Sequence, residues 1–238
     1  MTTNDHFFKF NRKIVTSKAW RELTNHARAV FLAIAIHTKK GGTCFPGRNL
    51  ICKLAGYHPD NLHPVRKGVK KLLSKDLIKR EHIPARNHRV KCKYTFDIPE
   101  KGCFAFYDEM VHSGLWGELS DAERNLYITM RGLSGAAFPA EAEKEKYVEG
   151  ETPKRHFDLC DKEKDDFLDY SGLGIRSYWN AMRGLKERGL VVKLRNNNHD
   201  DDISHAVFFR IENLNNIAFL ENELVELTVY DKFYSISD

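Results

Sequence analysis

Apolar positions along the chain switch between two periods, and the switches fall at matching places in its two halves. After Leu23 and Thr24, residues Ala27, Val30 and Ile34 recur at three-to-four spacing, which predicts an amphipathic helix with Thr24 as its N-cap. Leu119, Ser120, Leu126, Met130 and Leu133 repeat the pattern at a constant offset of 96, which also carries Trp20 onto Trp116, Arg28 onto Arg124 and Phe31 onto Tyr127. Short helical stretches follow and end at Gly56 and Gly172, residues suited to tight turns. Longer helices come next, with apolar stripes at Val65, Val69 and Leu72 or at Tyr178, Met182 and Leu185, now related by an offset of 113. Both run into similar junctions, Lys75-Asp76-Leu77-Ile78 and Arg188-Gly189-Leu190-Val191. There the period becomes two: Val90, Cys92, Tyr94 and Phe96 alternate with Arg89, Lys91, Lys93 and Thr95, as in a hairpin strand.

The order of helix, short helix, turn, long helix and hairpin therefore occurs once in each half, which predicts an α+β chain made of a duplicated small unit. With phrases such as SGLGIRSYWNAMRGLKERGLV and ARAVFLAIAIHTKKGGTCFPGRNLICKLAGY followed by VRKGVKKLLSKDLI, this order resembles the winged helix-turn-helix domains of phage and plasmid proteins. Two copies in tandem resemble plasmid replication initiators. The resemblance implies two tandem winged helix-turn-helix domains, each a three-helix core plus a β-hairpin wing. They would occupy residues 1–100 and 101–211, ahead of an amphipathic acidic tail at 212–238 with Ile217, Leu220, Leu224 and Leu227 at near-helical spacing. The copies differ in two places. Between the turn glycine and the long helix the first has three more residues, within Tyr57–Asn61. Taking Phe45-Pro46 and Phe138-Pro139 as equivalent, the second carries a charged insertion at about 140–160, expected as an exposed loop or extra helix; its KEKDD stretch would start the short helix, where carboxylates suit the positive dipole end.

Composition adds only bounds. With 238 residues, 42% hydrophobic and 30% charged, the chain is neither disordered nor a fibrous repeat. No apolar run approaches the ~20 residues that cross a bilayer and MTTNDHFFKF has no leader-like apolar core, so the expectation is a cytoplasmic protein without membrane contact. The five cysteines, Cys44, Cys52, Cys92, Cys103 and Cys160, are odd in number and scattered, as expected of reduced thiols.

Charge changes the picture more. The formal net charge of +5 hides +14 in residues 1–100 and −9 in the remainder. Residues 59–93 hold 11 Lys or Arg against 3 acids, and clustered positive charge attracts polyanions by releasing their counterions. In a helix-turn-helix the second helix enters the major groove, the groove wide enough to admit it and the one in which every base pair is distinct. If Val65, Val69 and Leu72 are buried, a 100° step turns His63, Lys67, Lys70 and Ser74 outward, flanked by Arg66 and Lys71. Asn61, His63, Arg66 and Lys67 near the helix start are expected at base edges, and Lys70, Lys71 and Lys75 at phosphates. The hairpin contributes Lys79, Arg80, Arg86, Arg89 and Lys91, with Arg86 as the candidate to enter a minor groove from the tip. The competing expectation is that these charges only keep a helix face and an edge strand soluble.

In the second copy the corresponding face carries Arg176, Asn180, Arg183 and Glu187, with Trp179 where the first has Arg66. Asp200, Asp201 and Asp202 would repel phosphate from that copy's hairpin tip. The second half is thus expected either to read an adjacent half-site through Arg176, Asn180 and Arg183 or to bind protein. No P-loop, GxGxxG, HExxH, G-x-S-x-G or paired C-x-x-C motif appears, so neither catalytic residues, a metal site nor a cofactor is expected. The expected partner is double-stranded DNA, together with host replication proteins or self-association through the acidic half. The resemblance makes a plasmid or phage replication initiator the leading expectation. A repressor with a dimerising second domain and an adaptor of a primosome or helicase-loading complex are the alternatives.

Overall fold

The computed structural model describes residues 6–39, 41–84, 90–134, 157–196, 203–208 and 234–236. Within them the chain is α+β, with short helices and three small antiparallel sheets. The first half runs β1 (Phe7–Asn11), α1 (Lys13–Thr16), α2 (Asn25–Ala35), β2 (Thr43–Cys44), α3 (Arg48–Leu54), α4 (Leu62–Leu73), β3 (Lys79–Pro84) and β4 (Val90–Thr95). The second runs β5 (Cys103–Tyr107), α5 (Glu109–His112), α6 (Leu115–Glu118), α7 (Asp121–Leu133), β6 (Phe157–Cys160), α8 (Lys164–Ser171), α9 (Ile175–Glu187), β7 (Val191–Asn196), β8 (Ile203–Phe208) and β9 (Tyr234–Ile236).

Local chemistry explains the matching elements. Thr24 Oγ1 accepts from the Ala27 N–H, and Ser120 closes a full capping box with Glu123, so α2 and α7 start where sequence places them. The long helices end alike. Asp76 and Gly189 take positive φ of 53° and 68°, and the Leu77 and Leu190 amides bond back to the Leu72 and Leu185 carbonyls, the closing turn of a Schellman-type cap. Strand orders match too: β2-β4-β3 in one sheet and β6-β8-β7 in the other, where β9 adds a fourth strand on the β7 edge. Residues 217–227 of the tail lie outside the described residues.

One expected equivalence is corrected. Cys44 on β2 faces Tyr94, and Cys160 on β6 faces His205, so β6 is the counterpart of β2. The strand precedes Phe45-Pro46 in the first half but follows Phe138-Pro139 in the second, so these two pairs are not equivalent. The extra length therefore lies between α7 and β6, and residues 157–160 form a fully buried strand instead of the end of an exposed loop. Its Phe-Asp-Leu-Cys sequence reads as polar only because Asp158 hides a buried partner, Arg131 Nε at 2.9 Å.

The halves interlock. β1 pairs with β5 in a register that sets Phe7 against Tyr107, Lys9 against Ala105 and Asn11 against Cys103. Ala105 is Lys9 advanced by 96, so the ribbon is centred on a residue and its own counterpart, as a local two-fold relation requires. The packing repeats: Phe10 meets Trp20 edge-on at 5.5 Å, and Phe106 meets Trp116 edge-on at 5.6 Å. Arg28 donates to the Trp20 and Arg21 carbonyls, while Arg124 donates to those of Trp116 and Gly117. Contacts across the halves are reciprocal as well. A Cβ on Gly56 would sit 2.3 Å from the Gly117 carbonyl oxygen, and one on Gly172 would meet the side chain of Arg21, the counterpart of Gly117. The Trp116 indole donates to the Ala29 carbonyl and Arg28 pairs with Asp121 at 2.9 Å, which ties α2 to the second half.

Candidate nucleic-acid interface

Helix α4 is a two-sided element held by its apolar stripe. Pro64, Val65, Gly68, Val69 and Leu72 are buried, and Gly68 lets the helix backbone lie against the His26 carbonyl of α2. That packing turns His63, Arg66, Lys67, Lys70 and Ser74 outward, all exposed, with Lys71 half-buried beside them. Asn61 caps the helix, its side chain accepting from the His63 amide. Among the described residues none of Arg66, Lys67, Lys70, Lys79, Arg80 or Lys91 forms an ion pair. Lys75, expected at a phosphate, is instead engaged by Glu22, whose carboxyl that ammonium holds below its ordinary value. The charge of the face is felt inside the fold: burial lowers the His26 imidazole pKa, and Lys67 and His63 lower it further.

The β3–β4 hairpin extends the cationic surface. Lys79, Arg80 and Lys91 are exposed, while Lys93 pairs with Glu81 across the strands at 3.0 Å. Its alternation fades outward: Tyr94 and Phe96 are buried, Cys92 is half-buried, and Val90 is 66% exposed. The outer hairpin therefore stands clear of the core. Arg86 and Arg89 lie outside the described residues.

Helix α9 repeats the construction with other chemistry. Tyr178, Ala181, Met182 and Leu185 are buried, and Arg176, Asn180 and Arg183 are exposed. The Arg183 guanidinium donates to the Asn180 side-chain oxygen at 3.3 Å. Beside them Ile175 and Trp179 are 51% and 55% exposed, an apolar pair one turn apart that has no counterpart on α4. The exposure of Trp179 follows from Tyr178, not Trp179, filling the core.

Elsewhere the described residues offer little for chemistry. No group of three or more His, Cys, Asp or Glu side chains is arranged to hold a metal among them, and no helix among them is long and apolar enough to cross a membrane. Burial pushes the Cys44 and Cys160 thiols up to about 11, which makes them inert packing groups. A cavity of about 760 Å³ opens beside β1, lined by Phe7, Phe8, Phe96 and Ile98 among others, with no lining residue from α4 or α9. A buried polar cluster that sequence reasoning missed is Arg131 with Asp158, the Tyr127 hydroxyl and the Ala105 carbonyl. It ties the β1–β5 ribbon to α7. Neither protein-family models, curated proteins nor solved structures give a match to the chain, so function is argued from its residues and their placement.

Proposed function

We propose that the chain is a non-enzymatic, sequence-specific double-stranded DNA-binding protein of two winged helix-turn-helix units, acting as a plasmid or phage replication initiator. The observation that carries the DNA-binding part is the outer face of α4: His63, Arg66, Lys67 and Lys70 are exposed, free of acids on that face, and backed by a rigid apolar stripe. A solvated helix face in a chain of mixed charge normally carries both signs; a one-sign face on a helix with this element order fits the major groove. The recurring strand orders β2-β4-β3 and β6-β8-β7 support two such units. Residues Lys79, Arg80 and Lys91 extend the surface along a hairpin that stands off the core. The ribbon centred on Lys9 and Ala105 supports a two-fold relation between the two halves, with α4 as the helix that meets the duplex. The initiator role rests on the resemblance to plasmid proteins alone.

Selection from random duplex DNA at ~0.15 M salt, with the full chain, tests this, since Coulombic attraction is already screened over ~8 Å there. The expected product is one enriched motif, the site that α4 reads. Three to six phosphate contacts give a fall of log K with log salt of ~0.9 per contact, and the double variant K67E/K70E loses specific binding. No enrichment, or K67E/K70E selecting the same sequence with the same affinity, overturns the proposal.

A further inference from the structure

The most conspicuous unused chemistry is the indole of Trp179. Of the three tryptophans, Trp20 and Trp116 are fully buried, whereas Trp179 presents more than half its surface to solvent on a helix whose apolar side is already filled. Its ring lies 5.0 Å from that of buried Tyr178 at an interplanar angle of 68°, so one edge is braced against the core while the remainder is open. Arg176 stands one turn before it and Arg183 one turn after, both exposed and neither in an ion pair among the described residues.

We propose that Trp179, between Arg176 and Arg183, is a stacking platform for an unpaired DNA strand. The assignment rests on the DNA-binding proposal above but gives α9 a different substrate from α4. A flat indole offers a π face, and every unpaired base offers one in return; in a duplex those faces are stacked on each other and only edges are presented. The flanking guanidinium groups, one turn to each side of the indole, would take backbone phosphates next to a stacked base. Charge argues in the same direction. The half that holds α9 carries a net −9 from residue 101 onward, and a single strand presents one phosphate per ~3.4 Å of axis against one per ~1.7 Å for the duplex. A weakly cationic stripe within an acidic half therefore tolerates the sparser polyanion better. In an initiator, such a platform would hold a strand released when the duplex opens next to the sequence that α4 reads.

The tryptophan distribution supplies the assay. Emission of the full-length protein is titrated with oligo-dT of about 16 nucleotides, the upper end of common single-strand site sizes, and with a duplex of the same length. Stacking is expected to quench and shift the emission of the exposed indole with the single strand far more than with the duplex. By fluorescence anisotropy of labelled oligo-dT, Trp179→Ala is expected to bind roughly tenfold to a hundredfold more weakly, and Trp179→Phe to retain most of the affinity. The K67E/K70E variant separates the two proposals: it is expected to lose duplex binding and keep the oligo-dT response. Unchanged emission with oligo-dT, equal quenching by duplex, or Trp179→Ala binding oligo-dT like the parent protein each overturns the platform. The last result, combined with intact duplex binding, leaves the role of α4 standing while removing that of α9.

Discussion

The two halves solve the same folding problem with the same devices and then spend their surfaces differently. On α4, Arg66, Lys67 and Lys70 together with His63 make a strip free of acids; on α9 the positions matching His63, Arg66, Lys67 and Lys70 are Arg176, Trp179, Asn180 and Arg183. The core positions behind them remain apolar in both, and the caps, the tryptophan anchors and the paired arginines Arg28 and Arg124 persist. Surface chemistry can diverge in this way because an exposed substitution changes stability little, whereas a buried one acts on close packing. Similarity between the halves therefore reports the fold, and their difference lies in what each presents to solvent.

The interiors are not wholly alike either, and the largest expected effect lies there. Arg131 on α7 corresponds to Ala35 on α2, so at this position the second half carries a buried ion pair, with Asp158 at 2.9 Å, that the first lacks. Removing one partner of a buried pair leaves an uncompensated charge, which costs about 3–5 kcal/mol. Arg131→Met should lower stability by that amount in denaturant unfolding, and adding Asp158→Leu should recover part of it. If Arg131→Met unfolds like the parent, the cluster does not anchor the ribbon to α7.

The next contrast is one of pH. Tyr94 and His205 occupy matching strand positions opposite Cys44 and Cys160. Burial pushes the Tyr94 hydroxyl up to about 12 and the His205 imidazole down to about 4, so each stays neutral near pH 7. Only the histidine has consequences in mild acid. Between its ordinary value of ~6.5 and about 4, the unfolded chain binds a proton that the folded chain refuses, so stability is complete above that window and falls as pH drops through it. The shift corresponds to about 3 kcal/mol. The variant His205→Tyr, which installs the first half's residue, is expected to flatten this part of the stability–pH curve measured by urea unfolding. An unchanged slope would place the acid sensitivity elsewhere.

Most of the repeated core was legible from periodicity, because Val65, Val69 and Leu72 or Tyr178, Met182 and Leu185 satisfy one helical face without help from distant residues. The outward face of α4 followed by subtraction. What was not legible depended on long-range pairing. The β1–β5 ribbon joins residues about 96 positions apart, and Phe7–Asn11 carries no mark of its partner. Strand β6 was hidden because Asp158 interrupts an apolar run and its Arg131 partner is 27 positions away. Lys75 read as a free cation, since nothing local points to Glu22.

The smallest contrast concerns the two glycines where the halves touch. Gly56 and Gly172 both hold positive φ, 80° and 68°, so alanine at either costs the same conformational strain of about 1 kcal/mol. Their surroundings differ. At Gly56 the new Cβ would lie 2.3 Å from a backbone oxygen of Gly117, which cannot move without shifting α6. At Gly172 it would meet Arg21 atoms from 2.6 Å, part of a long side chain 45% exposed that can swing away at the loss of its surface pairing with Asp169. Gly56→Ala should therefore destabilise by a further 1–3 kcal/mol over Gly172→Ala, read as a lower melting temperature. Equal melting temperatures would mean that the close approach of Gly56 and Gly117 bears no more weight than its pseudo-symmetric partner, and the interface between the halves would be softer on both sides than the reciprocal packing implies.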